Sequence, residues 1–468
     1  MRKHTITAAA AGAAALLFSS AAWADLQDVA RAMGSPQSIQ VWGSGLSYGI
    51  GQAYKPGMPW PRMNLTKYSR TDDYAGKSLG YDTTVVRADQ LGGTAVPHRG
   101  EFRRAGGVSG DRAWIINYPV SDSVQAPAVS LQHDLWTSPH GIVQAAIAAK
   151  AKVENSSFWI DQPGKFKAKA TIDRDNLVTQ VDSWMDNAVL GDMLVVTTYS
   201  DYRDHGGVRF PNRITQTAGG HLVLELTVSE VKVNAGGIAV PAQIAAVPNE
   251  VKLDRAADGV WFISGGSHNS VAVEMRDHVV LFEAPLGDGR ANAVMNAVKA
   301  ALPGKPIRYV VPSHHHFDHS GGLRAAAAEG AAIVLPEMSK GYFERAYMNT
   351  HLINPDSLAK SGRSARFETY GDKHVLSDGT RTLELYLIKN NLHSDGYVLG
   401  YLPKEKIIIQ ADAFSPRAPI TQTPAVINPS TKNLWENVEA NNMQVDTVLP
   451  LHGRMVNVQE LKLEAGVR

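Results

Sequence analysis

The sequence predicts an α/β chain in two parts, a C-terminal half in which helices cover the faces of sheets and an N-terminal region that contains an antiparallel sheet. Two observations carry this expectation. Beyond about residue 250, short apolar strands alternate with helical segments, which implies sheet faces closed by helices. Between residues 165 and 233, alternating runs are separated by Asp173-Arg174-Asp175-Asn176, His205-Gly206-Gly207 and Ala218-Gly219-Gly220. That is the pattern of a meander of antiparallel strands.

Taken in order, the chain starts with a basic Met1-Arg2-Lys3-His4, an apolar run from Ala8 to Phe18, and Ala22-Trp23-Ala24 before Asp25. This is the grammar of a secretory signal peptide over 1–24, and the apolar run falls well short of the ~20 residues a membrane span needs. The mature protein is expected to be periplasmic or secreted, with no integral membrane segment after cleavage. From 25 to about 140, Gly, Pro and isolated aromatics are scattered with little periodicity, and irregular structure is expected there. Residues 141–152 have helical composition. The runs 165–172, 178–184, 193–199, 209–216 and 221–233 form the meander. The Gly/Ala/Pro-rich text over 234–250 is the expected boundary, giving an accessory domain over 25–248 and a second domain over 249–468.

In that second domain, 260–264, 270–275, 279–283 and 307–311 read as strands around a helix at 290–301. A helix at 323–329 and a strand at 332–335 follow. Strands at 382–388, 396–401, 407–410 and 446–449 enclose a last helix at 431–441.

Composition excludes several functions. Lys+Arg 46 against Asp+Glu 45 gives no basic surplus, so nucleic acid is not an expected partner. With Cys 0 there can be no disulfide, thiolate ligand or cysteine nucleophile, and any metal site must use His, Asp and Glu. The strongest local signal meets that requirement. Ser313-His314-His315-His316-Phe317-Asp318-His319-Ser320-Gly321-Gly322 places four imidazoles and a carboxylate within six positions, directly after the apolar strand 307–311. In an extended segment alternate residues share a side, so His314 and His316 can converge on one ion while Asp318 and His319 face a second.

His314-x-His316-x-Asp318-His319 resembles the HxHxDH signature of the metallo-β-lactamase superfamily, metal-dependent hydrolases with a four-layer αββα sandwich. The resemblance covers roughly residues 250–468 and supplies three downstream candidates in family order: His393 before a strand, Asp412 directly after one, and His452 after another. It implies that His314, His316 and His393 hold a first metal, that Asp318, His319 and His452 hold a second, and that Asp412 bridges them. Two zinc ions are the implied cofactors, with iron or manganese as alternative occupants. The oxygen-reducing di-iron relatives generally carry glutamate where this chain has His316, which points to hydrolysis.

The implied activity is an exported dinuclear zinc hydrolase in which a metal-bound hydroxide cleaves an ester, lactone, amide or related bond of a small or medium-sized molecule. Asp318 would also be catalytic, orienting the nucleophile and handling its proton. His268, in a turn between early strands, and Arg417, shortly after Asp412, are candidate substrate-binding residues. Two alternatives stay open: a periplasmic β-lactamase, and an envelope carrier using the 165–233 sheet to bind lipid or peptide.

Overall fold

Period-two alternation sorts the C-terminal strands onto two faces. Phe262, Val271, Val273, Val280, Phe282, Val311 and Val334 turn one way, into a core shared with a second sheet. Their neighbours Ile263, Ala272, Val279, Leu281, Val310, Ile333 and Leu335 turn the other way, against helices. The structure is a computed structural model describing residues 25–93, 100–117, 122–246 and 250–467, so the expected signal peptide lies outside the described residues.

The first of these sheets runs, in spatial order, through Lys252–Ala257, Val260–Ser264, Ser270–Glu274, Val279–Phe282, Ile307–Val311, Ala332–Pro336 and Arg366–Tyr370. Its first four strands are antiparallel and its last three join in parallel. Parallel neighbours need crossovers, and Asp288–Ala301, Leu323–Ala328 and Glu337–Tyr347 provide helices that bury Val294, Met295, Leu323 and Phe343 on the outer face. The second sheet comprises Lys373–Ser377, Thr382–Leu387, Val398–Leu402, Ile407–Gln410, Thr447–Pro450 and Val456–Asn457. Pro429–Ala440 and Val458–Glu464 cover it with Leu434, Val438 and Leu461. The layers therefore run helices, sheet, sheet, helices, as the sequence implies.

The N-terminal half corrects one expectation. The described residues between 25 and 140 are not irregular: they form the helices Leu26–Met33 and Ala128–Thr137 and the strands Ser38–Tyr48, Arg62–Asp73, Ser78–Arg87, Glu101–Ser109, Arg112–Asn117 and Asp122–Gln125. These strands continue the meander, because Ser38–Tyr48 pairs antiparallel with His221–Val233 and joins everything into one twelve-stranded sheet. The signal was weak for physical reasons. Arg62–Asp73 (RMNLTKYSRTDD) carries charged side chains on a face that stays wet, and Ser38–Tyr48 is interrupted by register shifts at Gly43 and Gly45. The other face is apolar. Leu26, Val29 and Met33 of the first helix and Ile142, Val143 and Ala146 of Pro139–Ala148 pack on Phe158, Phe166, Ala168 and Val181, while Leu135 of Ala128–Thr137 joins a neighbouring core with Ile39, Val41, Leu79 and Val108. Among the described residues no helix is long and apolar enough to cross a membrane.

Candidate metal centre

Strand ends of both C-terminal sheets deliver the site. Ile307–Val311 leads into the histidine loop, whose Asp318 and His319 sit on the short helix Phe317–Ser320. Asp412 follows Ile407–Gln410, His452 follows Thr447–Pro450, and His393 lies in the loop before Val398–Leu402. The two sheets are tied together here, since Val398 N–H donates to the Ser313 carbonyl at 2.7 Å.

These residues converge as two groups of donors: His314, His316, His393 and Asp412, and His268, Asp318, His319 and His452. In the first group His314 Nε2 lies 2.8 Å from His316 Nδ1 and 3.1 Å from His393 Nε2. In the second, His319 Nε2 lies 3.2 Å from His452 Nε2. Asp412 reaches both groups: Oδ2 lies 2.9 Å from His393 Nε2 and 3.0 Å from His319 Nε2, and Oδ1 lies 2.8 Å from His452 Nε2. Donors bound tetrahedrally to zinc at ~2.0–2.1 Å stand about 3.3 Å apart, close to these separations.

The hydrogen bonds behind the rings fix which nitrogen faces inward. His316 Nε2 donates to the Ala53 carbonyl (2.8 Å), His319 Nδ1 to Glu283 Oε2 (2.9 Å), and His452 Nδ1 to the Ser267 carbonyl (2.9 Å). The Ser313 hydroxyl donates to Glu283 Oε2 (2.9 Å) and so accepts from His314 Nδ1 (2.9 Å). His314 and His316 then turn bare lone pairs toward each other, and lone pairs facing one another at 2.8 Å repel unless a cation lies between them. Second partners that orient ligating imidazoles in this way are a regular property of metal sites. The donor set fits two divalent ions of the zinc type.

Electrostatics agree. Burial, with neighbouring imidazoles, holds His314 and His316 well below the ordinary histidine value, keeping them neutral. Burial opposes ionisation of Asp318 and Asp412, but His319 and other surrounding histidines outweigh it and hold both carboxyls far below their usual range. Burial likewise opposes the charge on His319, yet Asp412, Glu283 and Asp318 raise its proton affinity well above normal, so a metal entering the second group displaces a proton.

The sequence offers His268, in a turn between early strands, as a candidate substrate-binding residue. The structure puts it in the second group, with Nε2 3.2 Å from Asp318 Oδ2 and its ring 4.2 Å from that of His452. Its loop is pinned from both sides. Asn269 Nδ2 donates to the carbonyls of Pro450 and Gly453 at 3.0 Å, and the buried Arg290 guanidinium donates to the carbonyls of Gly265 and His268. Arg417 is exposed and is absent from the lining of the cleft over the metal groups.

Three contributors escaped the sequence. Glu283, fully buried and at φ +78, caps the apolar strand Val279–Phe282; an acid ending so apolar a run was the available clue. Tyr397 stacks on His314 at 5.3 Å, and its hydroxyl accepts the Ala411 and Ala413 N–H groups that flank Asp412 (2.7 and 3.2 Å). Gln52, from the N-terminal half, donates to Asp318 Oδ1 at 2.9 Å.

Residues 263–452 match the family model described as the metallo-beta-lactamase superfamily. Over those residues the chain is similar to the metallo-β-lactamase superfamily. Over 153 residues the chain is 26% identical to the 2,4-dinitroanisole O-demethylase subunit alpha of Nocardioides sp. (strain JS1661), covering 33% of this chain and 43% of the relative. It thus spans less than half the length of that curated protein. Among solved structures, a metallo-beta-lactamase from Pontibacter korlensis is 17% identical (TM-score 0.36), covering 47% of this chain and 98% of the other. The DIM-1 metallo-beta-lactamase is 16% identical with the same score, covering 47% and 97%. The C-terminal half carries both donor groups, with help from Gln52 and Ala53, which reach in from the loop between the strands Ser38–Tyr48 and Arg62–Asp73.

Proposed function

We propose that the chain is an exported dinuclear zinc hydrolase that cleaves an ester, lactone, amide or related bond of a small or medium-sized molecule, with residues 25–248 as an accessory domain. The observation that carries this reading is Asp412, whose two oxygens lie within 3.0 Å of ring nitrogens from both donor groups.

A pair of divalent ions held there would lower the pKa of bound water toward ~7 and polarise the substrate oxygen. The chain supplies the rest. His314, His316 and His393 would hold one ion, and Asp318, His319 and His452, with His268 alongside, would hold the other, with Asp412 within reach of both groups. Gln52 fixes Asp318 Oδ1, leaving Oδ2 toward His268 and His319. In that position Asp318 would orient the attacking water and pass its proton to the leaving group.

The carrier reading finds less support. The apolar face of the N-terminal sheet is filled by its helices, and the hollow of about 750 Å³ elsewhere on that sheet is lined by charged and polar side chains including Lys67, Asp82, Glu101 and Arg103. Such a lining does not suit a lipid chain.

The test is metal analysis of the purified mature protein together with turnover of a chromogenic ester, a lactone, a cephalosporin and 2,4-dinitroanisole. The last is included because of the relative's named substrate. Two zinc ions per chain and chelator-sensitive turnover are expected. Asp318→Ala should lower the rate by several orders of magnitude while the protein stays folded. Metal-free protein, or near-normal rates in that variant, would refute the proposal.

A further inference from the structure

The cleft above the metal groups has two unlike walls. One is formed by Asp318, His393 and Asp412; the other comes from the N-terminal sheet and includes Ile50 and Arg104. Its volume is about 480 Å³, enough for a small organic molecule.

Arg104 stands on Glu101–Ser109, where side chains alternate between faces. Arg103 takes the far face and is paired with Asp82. Arg104 takes the cleft face, and among the described residues no carboxylate pairs with it; Tyr81 is the ionisable neighbour that acts on it. Its guanidinium lies 5.2 Å from the Phe102 ring centre. Its side chain is exposed to the cleft, and partial desolvation by its surroundings lowers its pKa from the ordinary arginine value. Beside it Ile50 is 47% exposed, an apolar surface facing the same space.

We propose that Arg104 is a substrate-recognition residue, and that the substrate of the metal centre carries an anionic group (carboxylate, sulfate or sulfonate in type) set apart from the scissile bond by an apolar stretch. This rests on the hydrolase reading above. The metal groups take the reacting end of the substrate, so the opposite wall meets another part of the molecule. Arginine offers a planar donor fork that matches such oxyanions bidentately. Two divalent ions held by two carboxylates would leave the centre cationic, adding to the attraction.

The experiment compares the zinc-loaded protein with Arg104→Ala and Arg104→Lys on two matched esters, mono-4-nitrophenyl glutarate and the neutral 4-nitrophenyl butyrate. A hydrolysis-independent arm measures calorimetric binding of 4-nitrobenzenesulfonate. The protein should prefer the glutarate ester. Arg104→Ala should lose ten- to a hundredfold in kcat/KM on that ester, mainly through KM, and stay within about twofold on the butyrate. Sulfonate affinity should fall at least tenfold, and Arg104→Lys should recover part of each loss. Equal effects on both esters, or unchanged sulfonate affinity, overturn the proposal and leave the hydrolase reading standing. Arg104-dependent sulfonate binding without turnover of either ester would support the anion site and count against ester hydrolysis.

Discussion

Replacing Tyr397 with Phe separates the support of the metal centre from its donors. The ring is fully buried and stacks on His314 at 5.3 Å, and phenylalanine keeps both properties. What disappears is one hydroxyl that accepts the N–H groups of Ala411 (2.7 Å) and Ala413 (3.2 Å). Each orphaned buried donor costs about 1–3 kcal/mol, so with two donors the variant should lose about 2–6 kcal/mol of stability. Asp412 lies between those two amides, so its carboxylate loses its anchor, and metal affinity should fall about tenfold or more, the scale typical of second-layer changes. Denaturant unfolding should show the first loss even in chelated protein. Saturating zinc should then widen the gap from the parent by about 1.4 kcal/mol for each tenfold loss of affinity. Hydrogen exchange at the amides of 411 and 413 should accelerate. A stability change under about 0.5 kcal/mol, with unaltered exchange and unaltered zinc affinity, would refute the claim that this hydroxyl holds Asp412.

Glu283→Gln keeps size but presents an amide N–H where the His319 and Ser313 donors need an acceptor; zinc affinity at the second group should drop about 10- to 100-fold in a chelator competition titration. His268→Ala should weaken the same group by a smaller factor, read as loss of the second equivalent of zinc at limiting metal, because His268 adds a donor to three others. His140 is buried under Phe210 with its pKa pushed by burial down to about 4 from 6.5. The unfolded chain therefore takes up a proton between those values that the folded chain refuses, and this contribution to stability falls as pH falls. Unfolding between about pH 7 and pH 5 should lose about 2 kcal/mol from this group, and His140→Leu should show a correspondingly smaller decline over that window.

The C-terminal half was legible because its strands are short, buried on both faces and strongly apolar, as in Val279–Phe282 and Ile407–Gln410. Its donors could be read because strand ends and histidines coincide. Strands such as Lys373–Ser377 and Arg366–Tyr370 escaped notice: they carry exposed polar side chains at alternate positions and lie at sheet edges. The N-terminal strands were hidden for a related reason, one wet face across twelve strands diluting the apolar signal. His268 and Tyr397 were not recoverable from local text. Their roles come from contacts across 50 residues to Asp318 and across 14 and 16 residues to the amides around Asp412.

The metal centre is also not self-sufficient within its own half. The bare Nδ1 of His316 faces inward because Nε2 is held by the carbonyl of Ala53, which lies 263 residues earlier in the chain. Two neighbours of Ala53 strengthen that seat. Gln52 holds Asp318, and Gly51, at φ +74, lets the Phe317 ring approach to within 2.4 Å of where a Cβ would stand. Any larger residue at 51 would push Phe317 away, and Phe317 sits between His316 and Asp318 in the chain. The segment 51–53 therefore sets a ring orientation in one donor group and a carboxylate position in the other. This gives the loop between the strands Ser38–Tyr48 and Arg62–Asp73 a role in building the site itself.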